Sequence, residues 1–188
     1  LPLGTVTVQE TKAPVGYFAN DTVFVQKITA GGAKETVTCY NASSVEEQIY
    51  RGGVKVQKRD LETKKAEPQG IASLEGAVFT ITSLNDHPVI VDGKTYTKNQ
   101  VVMSLTTDSK ETASTKKDAL PFGHYRIDET KAPEGYLNEG KLSSEFDIVK
   151  NGEIVDLTLE DKAILNQVIR GDLELVKVSD GEQKRLSD

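Results

Sequence analysis

Apolar and polar residues alternate in short runs along most of this chain. "VKVQK" from Val54, "AVFTITSL" from Ala77, "HYRIDE" from His124, "SEFDIV" from Ser144 and "LELVKV" from Leu173 are all of this kind. Each is four to eight residues long, rich in β-branched and aromatic side chains, and bounded by turn chemistry such as "VDGK", "APEGY" and "KNGE". Period-two alternation of this length predicts half-buried strands. Strands spaced in this way by polar turns predict an all-β fold, an antiparallel sandwich of immunoglobulin-like or prealbumin-like type. The one stretch with helical character, "SSVEEQIY" from Ser43, has its counterpart in "AILNQVI" from Ala163, which favours strand, so both are read as strands. The segment "TDSKETASTKK", Thr107 to Lys117, reads as a polar loop with no packing face.

The pattern repeats on a larger scale. "TVQETKAPVGY" (Thr7–Tyr17) returns as "RIDETKAPEGY" (Arg126–Tyr136), with Glu10 and Glu129 in register 119 positions apart. Leu1, Pro2 and Gly4 fall on Leu120, Pro121 and Gly123 at the same offset, and Gln48, Arg51 and Gly52 fall on Gln167, Arg170 and Gly171. A repeat of this length is the size of a domain rather than of a solenoid unit. Residues 52–170 therefore form one complete unit. Residues 1–51 are the back part of a preceding unit, and residues 171–188 hold the first strand of a following one. "LPLGT" has the look of a sorting motif, but "LPFGH" stands at the same place in the second copy, so it is a repeat element that enters a strand.

Composition narrows the functional classes. A single cysteine, Cys39, allows no internal disulfide or thiolate metal site, and no calcium loop is present, so no cofactor or metal is expected. The net charge of −6 is spread along the chain and argues against nucleic acid as a partner. No secretory signal and no apolar run of membrane-spanning length occurs in this segment. Without Trp and with only scattered Tyr, no aromatic binding patch stands out. His87 and His124 have no nucleophile at a recognisable spacing, and Cys39 in "TVTCY" reads as core, so turnover catalysis is not expected. Asn20 and Asn41 stand in the sequons "NDT" and "NAS" of the N-glycosylation pattern, which would mean little were the source bacterial.

Strand parity brings in chemistry. Val54 and Val56 point inward, so Lys58 does too; Tyr125 and Ile127 put Glu129 on the inner face; Ile164 and Val168 flank Asn166 at even spacing. An amine, a carboxyl and a primary amide thus converge on one apolar interior. Burying them costs several kcal/mol unless they pair or neutralise, and desolvation drives Lys and Glu towards their neutral forms. That set suits transamidation: the Lys58 amine attacks the Asn166 side-chain carbonyl, Glu129 polarises the carbonyl and shuttles protons, and ammonia leaves. The product is a permanent Lys58–Asn166 isopeptide crosslink. The bland alternatives are a snorkelling edge lysine at 58, a turn-binding carboxylate at 129 and a bulge amide at 166.

"GVKVQKRD", "YRIDETKAPEGY" and "ILNQVIRG" together resemble the Cna protein B-type domain, the prealbumin-like, SpaA-type fold of Gram-positive pilins and surface adhesins. The resemblance spans the complete unit and parts of both fragments. It implies that Lys58, Glu129 and Asn166 form the intramolecular isopeptide site. It further implies an extracellular, cell-wall-anchored stalk whose partners are neighbouring B-type domains of the same chain and, through other domains, host surface ligands. A ligand-binding adhesin module is the alternative.

The flanking fragments are partial sites. Glu10 matches Glu129, but Glu47 stands where Asn166 does, and a carboxylate is a poor acyl donor beside a primary amide; Asn41 is the nearest substitute. Lys177 matches Lys58, with its partners beyond residue 188. The orphan strand at Gly171–Ser179 and the strand missing from residues 1–51 suggest strand donation between copies.

Overall fold

The computed structural model describes residues 2–28, 46–159 and 161–177. Among them the regular structure is entirely strand. The preceding fragment contributes a hairpin of β1 (Gly4–Val8) and β2 (Phe24–Ile28). The main body of strands follows with β3 (Arg51–Asp60), β4 (Val78–Ser83), β5 (Val89–Val91), β6 (Lys94–Tyr96), β7 (Val101–Thr106), β8 (Thr112–Ser114) and β9 (Leu120–Pro121). Its back half holds β10 (Gly123–Lys131), β11 (Tyr136–Lys141), β12 (Ser143–Ile148), β13 (Ile154–Leu157) and β14 (Ile164–Val168).

Two sheets carry the unit. One has the order β12-β10-β4-β7; the other runs β11-β14-β3-β13, with β8 and β9 also paired to β3. Their inner faces supply the alternating residues that parity requires: Val54 and Val56 of β3, Phe79 and Ile81 of β4, and Tyr125 and Ile127 of β10 are all fully buried. Each such side chain removed from water contributes about 1.5–3 kcal/mol. Tyr125 stacks on Phe146 with ring centroids 5.8 Å apart, and its hydroxyl donates to the Pro121 carbonyl at 2.9 Å. Burial is therefore not bought at the expense of an unpaired phenol.

The all-β sandwich and the division of inward and outward residues follow the sequence, but three details differ. Alternation does not encode strand direction, and β3 lies parallel to both β13 and β14 while its other neighbours are antiparallel. The stretch from Thr107 to Lys117 is not a faceless loop. It forms β8, which places Ala113 in the core opposite Val56, and Thr107 is buried with its hydroxyl donating to the Leu74 carbonyl. Small Ala and Thr side chains give little hydrophobic signal yet fit against an edge. The stretch around Ile49 makes only an isolated bridge to Tyr17, and Gly171–Lys177 form no strand. A strand exists only beside a partner that fills its ladder. Cys39 and Asn41 lie outside the described residues.

Candidate crosslinking site

The site lies between the two sheets. Lys58 and Asn166 come from adjacent strands of one sheet, where β3 and β14 run parallel with Lys58 opposite Ile164 and Asp60 opposite Asn166. Glu129 reaches them from β10 of the other sheet, at a point where the ladder to β4 shifts register between Glu129 and Lys131. Such a bulge commonly re-aims a side chain beside a functional site. The Glu129 amide is held by the Leu142 carbonyl at 2.8 Å, which fixes its backbone.

All three residues predicted from parity meet there. Lys58 and Asn166 are fully buried and Glu129 nearly so. Lys58 Nζ donates to Glu129 Oε2 at 3.2 Å and lies 3.2 Å from Oε1. Asn166 is close enough to the Glu129 carboxyl to oppose its rise, and its Nδ2 donates to the Leu137 carbonyl at 2.7 Å. Asn166 Oδ1 is buried without a hydrogen-bond partner, and Glu129 Oε1 has none beyond its ion pair with Lys58. Both are acceptors while Glu129 is ionised. A proton on the carboxyl turns it into a donor, which is the form that relieves such a pair.

The electrostatics move both groups towards that state. Burial lowers the Lys58 amine to about 8, against the opposing pull of the Glu129 charge and hydrogen bond. Burial likewise pushes the Glu129 carboxyl up, opposed by Lys58 and Asn166. Desolvation outweighs attraction at both ends, which narrows the gap that a proton crosses in passing from amine to acid. The arrangement holds a nucleophilic amine, a primary amide and an acid that can serve both.

One neighbouring group escaped the sequence reading. Asp60, two residues after Lys58 and therefore of the same inward parity, is fully buried. Its Oδ1 accepts from the amides of Glu62 and Thr63 at 2.9 and 2.8 Å, and its Oδ2 from Gln69 Nε2 and the Tyr136 hydroxyl, both at 3.0 Å. Burial alone pushes this carboxyl up, yet the four donors together hold it below the usual range. Tyr136 is raised to about 12 by burial and by Asp60. Beside it Glu62 is drawn down to about 2 by hydrogen bonds from Arg170, Gln167 and Gln69. These contacts tie the end of β3 to the "APEGY" turn and to the exit of β14. Extending the "GVKVQKRD" alternation by one step would have found Asp60.

In the preceding fragment, Glu10 accepts the Asn20 amide at 2.7 Å. Glu47 stands beside Glu10, as the repeat register implies; its carboxyl is pushed up by burial and then by the hydrogen bond and charge of Glu10. Lys177 lies exposed on the strandless segment that ends the described chain. Among the described residues no cluster of side chains could hold a metal ion, and no helix is long and apolar enough to cross a membrane.

Comparison with known proteins agrees with this architecture. No curated protein sequence matches the chain. Among solved structures it is similar to the Bacillus anthracis TIE protein, at 25% identity and a TM-score of 0.57 over 90% of this chain and 26% of that one. A streptococcal ancillary pilin aligns at 22% identity and a TM-score of 0.42, covering 90% of this chain and 43% of that one. The Bacillus cereus major pilin subunit BcpA aligns at 19% and 0.43, covering 90% and 40%. The chain thus spans a quarter to under a half of these proteins. The family model described as the SpaA prealbumin-like fold domain matches residues 54–163, more than half of the chain. This chain belongs to the SpaA prealbumin-like domain family.

Proposed function

We propose that the chain is a structural stalk segment of a Gram-positive cell-surface protein, a pilin or an adhesin, locked by an autocatalytic bond between Lys58 and Asn166. The observation that carries this reading is the fully buried Lys58–Glu129 pair with Asn166 beside it, in a domain of the SpaA family. A proton moves from the Lys58 ammonium to Glu129. The neutral Nζ then attacks Asn166 Cγ while the protonated Glu129 donates a hydrogen bond to Oδ1. As the tetrahedral carbon collapses, Glu129 relays a proton from Nζ to the departing amide nitrogen. One N–Cγ bond forms, another breaks, and one ammonia leaves. Glu129 then gives up the proton it took from Lys58, to the departing ammonia or to solvent, and is again a carboxylate; the reaction uses no cofactor and turns over once.

Residues 52–170 act as the complete unit, flanked by the back of one copy and the start of another. The crosslink closes a loop of roughly 100 residues, for which the chain-entropy model gives about 4–5 kcal/mol by analogy with a disulfide. Its mechanical effect is larger. Tension entering β3 passes covalently into β14 without loading the hydrogen-bonded ladder between them.

Intact mass spectrometry tests the proposal directly. The wild-type chain is expected to weigh one ammonia less than its sequence, and Glu129→Ala the full sequence mass. Full mass in both would leave a buried polar cluster and turn attention to a ligand-binding role.

A further inference from the structure

The pairing of β11 with β14 breaks step beside the crosslinking site. Tyr136 pairs with Val168 and Gly140 with Asn166, so Leu137, Asn138 and Glu139 together stand against Gln167 alone. Gly140 closes this bulge: it has φ +118°, and a Cβ on it would stand 2.5 Å from the Leu165 carbonyl. Only a glycine lets β11 return so close to β14. Bulges of this kind re-aim groups beside functional sites, and the group presented here belongs to the main chain. The Leu137 carbonyl accepts from Asn166 Nδ2 at 2.7 Å.

A carbonyl oxygen accepts and cannot donate, so this contact admits the Asn166 amide in one orientation. Turned over, the amide would set Oδ1 against the Leu137 oxygen, two acceptors face to face. As it stands, Nδ2 is partnered and Oδ1 is buried with no partner. Buried amides ordinarily have both ends bonded; this one is satisfied at its nitrogen and open at its oxygen, with the Lys58–Glu129 pair beside it. The preceding fragment lacks the arrangement together with the chemistry. There Glu47 stands in place of the amide, Asp21 is in register with Gly140, and Phe18, in register with Leu137, donates its amide to the Gln48 carbonyl at 2.9 Å. Where the side-chain amide is gone, so is the glycine that shapes the bulge.

We propose that the Leu137 carbonyl is the fourth member of the crosslinking site, the acceptor that holds Asn166 Nδ2 as the leaving nitrogen. This role rests on the Lys58–Asn166 bond proposed above. Before reaction, the carbonyl fixes the amide so that Oδ1 is the end left open to the Glu129 proton. As the tetrahedral carbon collapses, the Cγ–Nδ2 bond breaks, Nδ2 takes the proton relayed by Glu129 and the nitrogen leaves as ammonia. A nitrogen that is gaining a proton is a stronger donor than a neutral amide, so its hydrogen bond to Leu137 tightens in the transition state.

A main-chain acceptor is weakened by an ester. In full-length chain made by cell-free synthesis, lactic acid in place of Asn138 turns the Leu137 carbonyl from that of an amide into that of an ester, with Asn138→Ala as the amide reference. Lactic acid in place of Glu139, against Glu139→Ala, moves the same change one peptide along; both side chains are exposed. Ammonia loss, followed by mass from the moment of synthesis, is expected to be about two- to ten-fold slower for the first ester than for its reference, and unchanged for the second. Equal rates in the first pair, or equal slowing by both esters, would overturn the role. A second measurement does not depend on the ester chain folding: a crystal structure of the Lys58→Met chain, which keeps the amide and cannot crosslink, should hold the Asn166 amide within hydrogen-bonding distance of the Leu137 oxygen. An amide turned away from it would overturn the contact itself. Reference chains that lose no ammonia would remove the crosslink and this role together, whereas normal loss indifferent to the ester would remove the role of Leu137 and leave the crosslink in place.

Discussion

Glu129 faces two demands that pull its proton in opposite directions, and the pH dependence of crosslinking follows from them. The reactive pair, neutral amine with neutral acid, contains as many protons as the ion pair. Between the raised Glu129 value and the Lys58 value of about 8, pH therefore does not change the fraction available. The rate of ammonia loss, followed by mass in freshly synthesised chain, is expected to be flat through this window. It should fall above about pH 8 as the pair loses its proton, and fall again at acid pH as the pair gains one. Asp60 is open to a second test. Tyr136→Phe removes one donor from a buried carboxylate and should cost about 1.5–3 kcal/mol; Asp60→Ala should cost more, because Tyr136 and Gln69 both lose their acceptor. Denaturant unfolding in a Glu129→Ala background, free of the crosslink, is the measurement.

At the scale of elements, β3 organises the unit, and Gly53 shows how tightly. A Cβ there would stand 2.4 Å from the Lys116 carbonyl and 2.6 Å from Thr115 Oγ1. Thr115 in turn accepts the Val54 amide and donates its own amide to the Val54 carbonyl. Gly53→Ala is expected to push this segment off β3, at a cost of about 1–3 kcal/mol, and to speed hydrogen exchange at Thr112–Thr115 while β10 stays protected. Alternation made the inward set of β3, β10 and β14 legible, and with it Lys58, Glu129 and Asn166, because a period of two needs only local sequence. It could not supply β8, whose Thr and Ala are ambiguous until β3 is beside them, nor the parallel direction of β13 and β14, which long connections decide. Asp60 was legible but lay one step past the apolar run. The Glu10–Glu47 contact was legible only through the repeat.

For the whole molecule, the informative variable is length under load. With the crosslink in place, a pulled unit is expected to show no unfolding extension between Lys58 and Asn166. Glu129→Ala should release roughly 100 residues at 3.3–3.6 Å each, about 350 Å, in single-molecule force spectroscopy. An equal extension in both chains would show that the load path does not run through a covalent bond.

The pairing of β3 also sets a clock. Its partners β8, β9, β13 and β14 all follow it in the chain, the last ending at Val168, more than a hundred positions after β3 begins at Arg51. During synthesis or passage through a narrow channel, β3 emerges first, meets β8 and β9 only in the middle of the unit, and has its full set of neighbours only when β14, the final strand, is out. Such non-local pairing folds slowly. The thread stays slack while it is being delivered, and the unit sets only once delivery is complete.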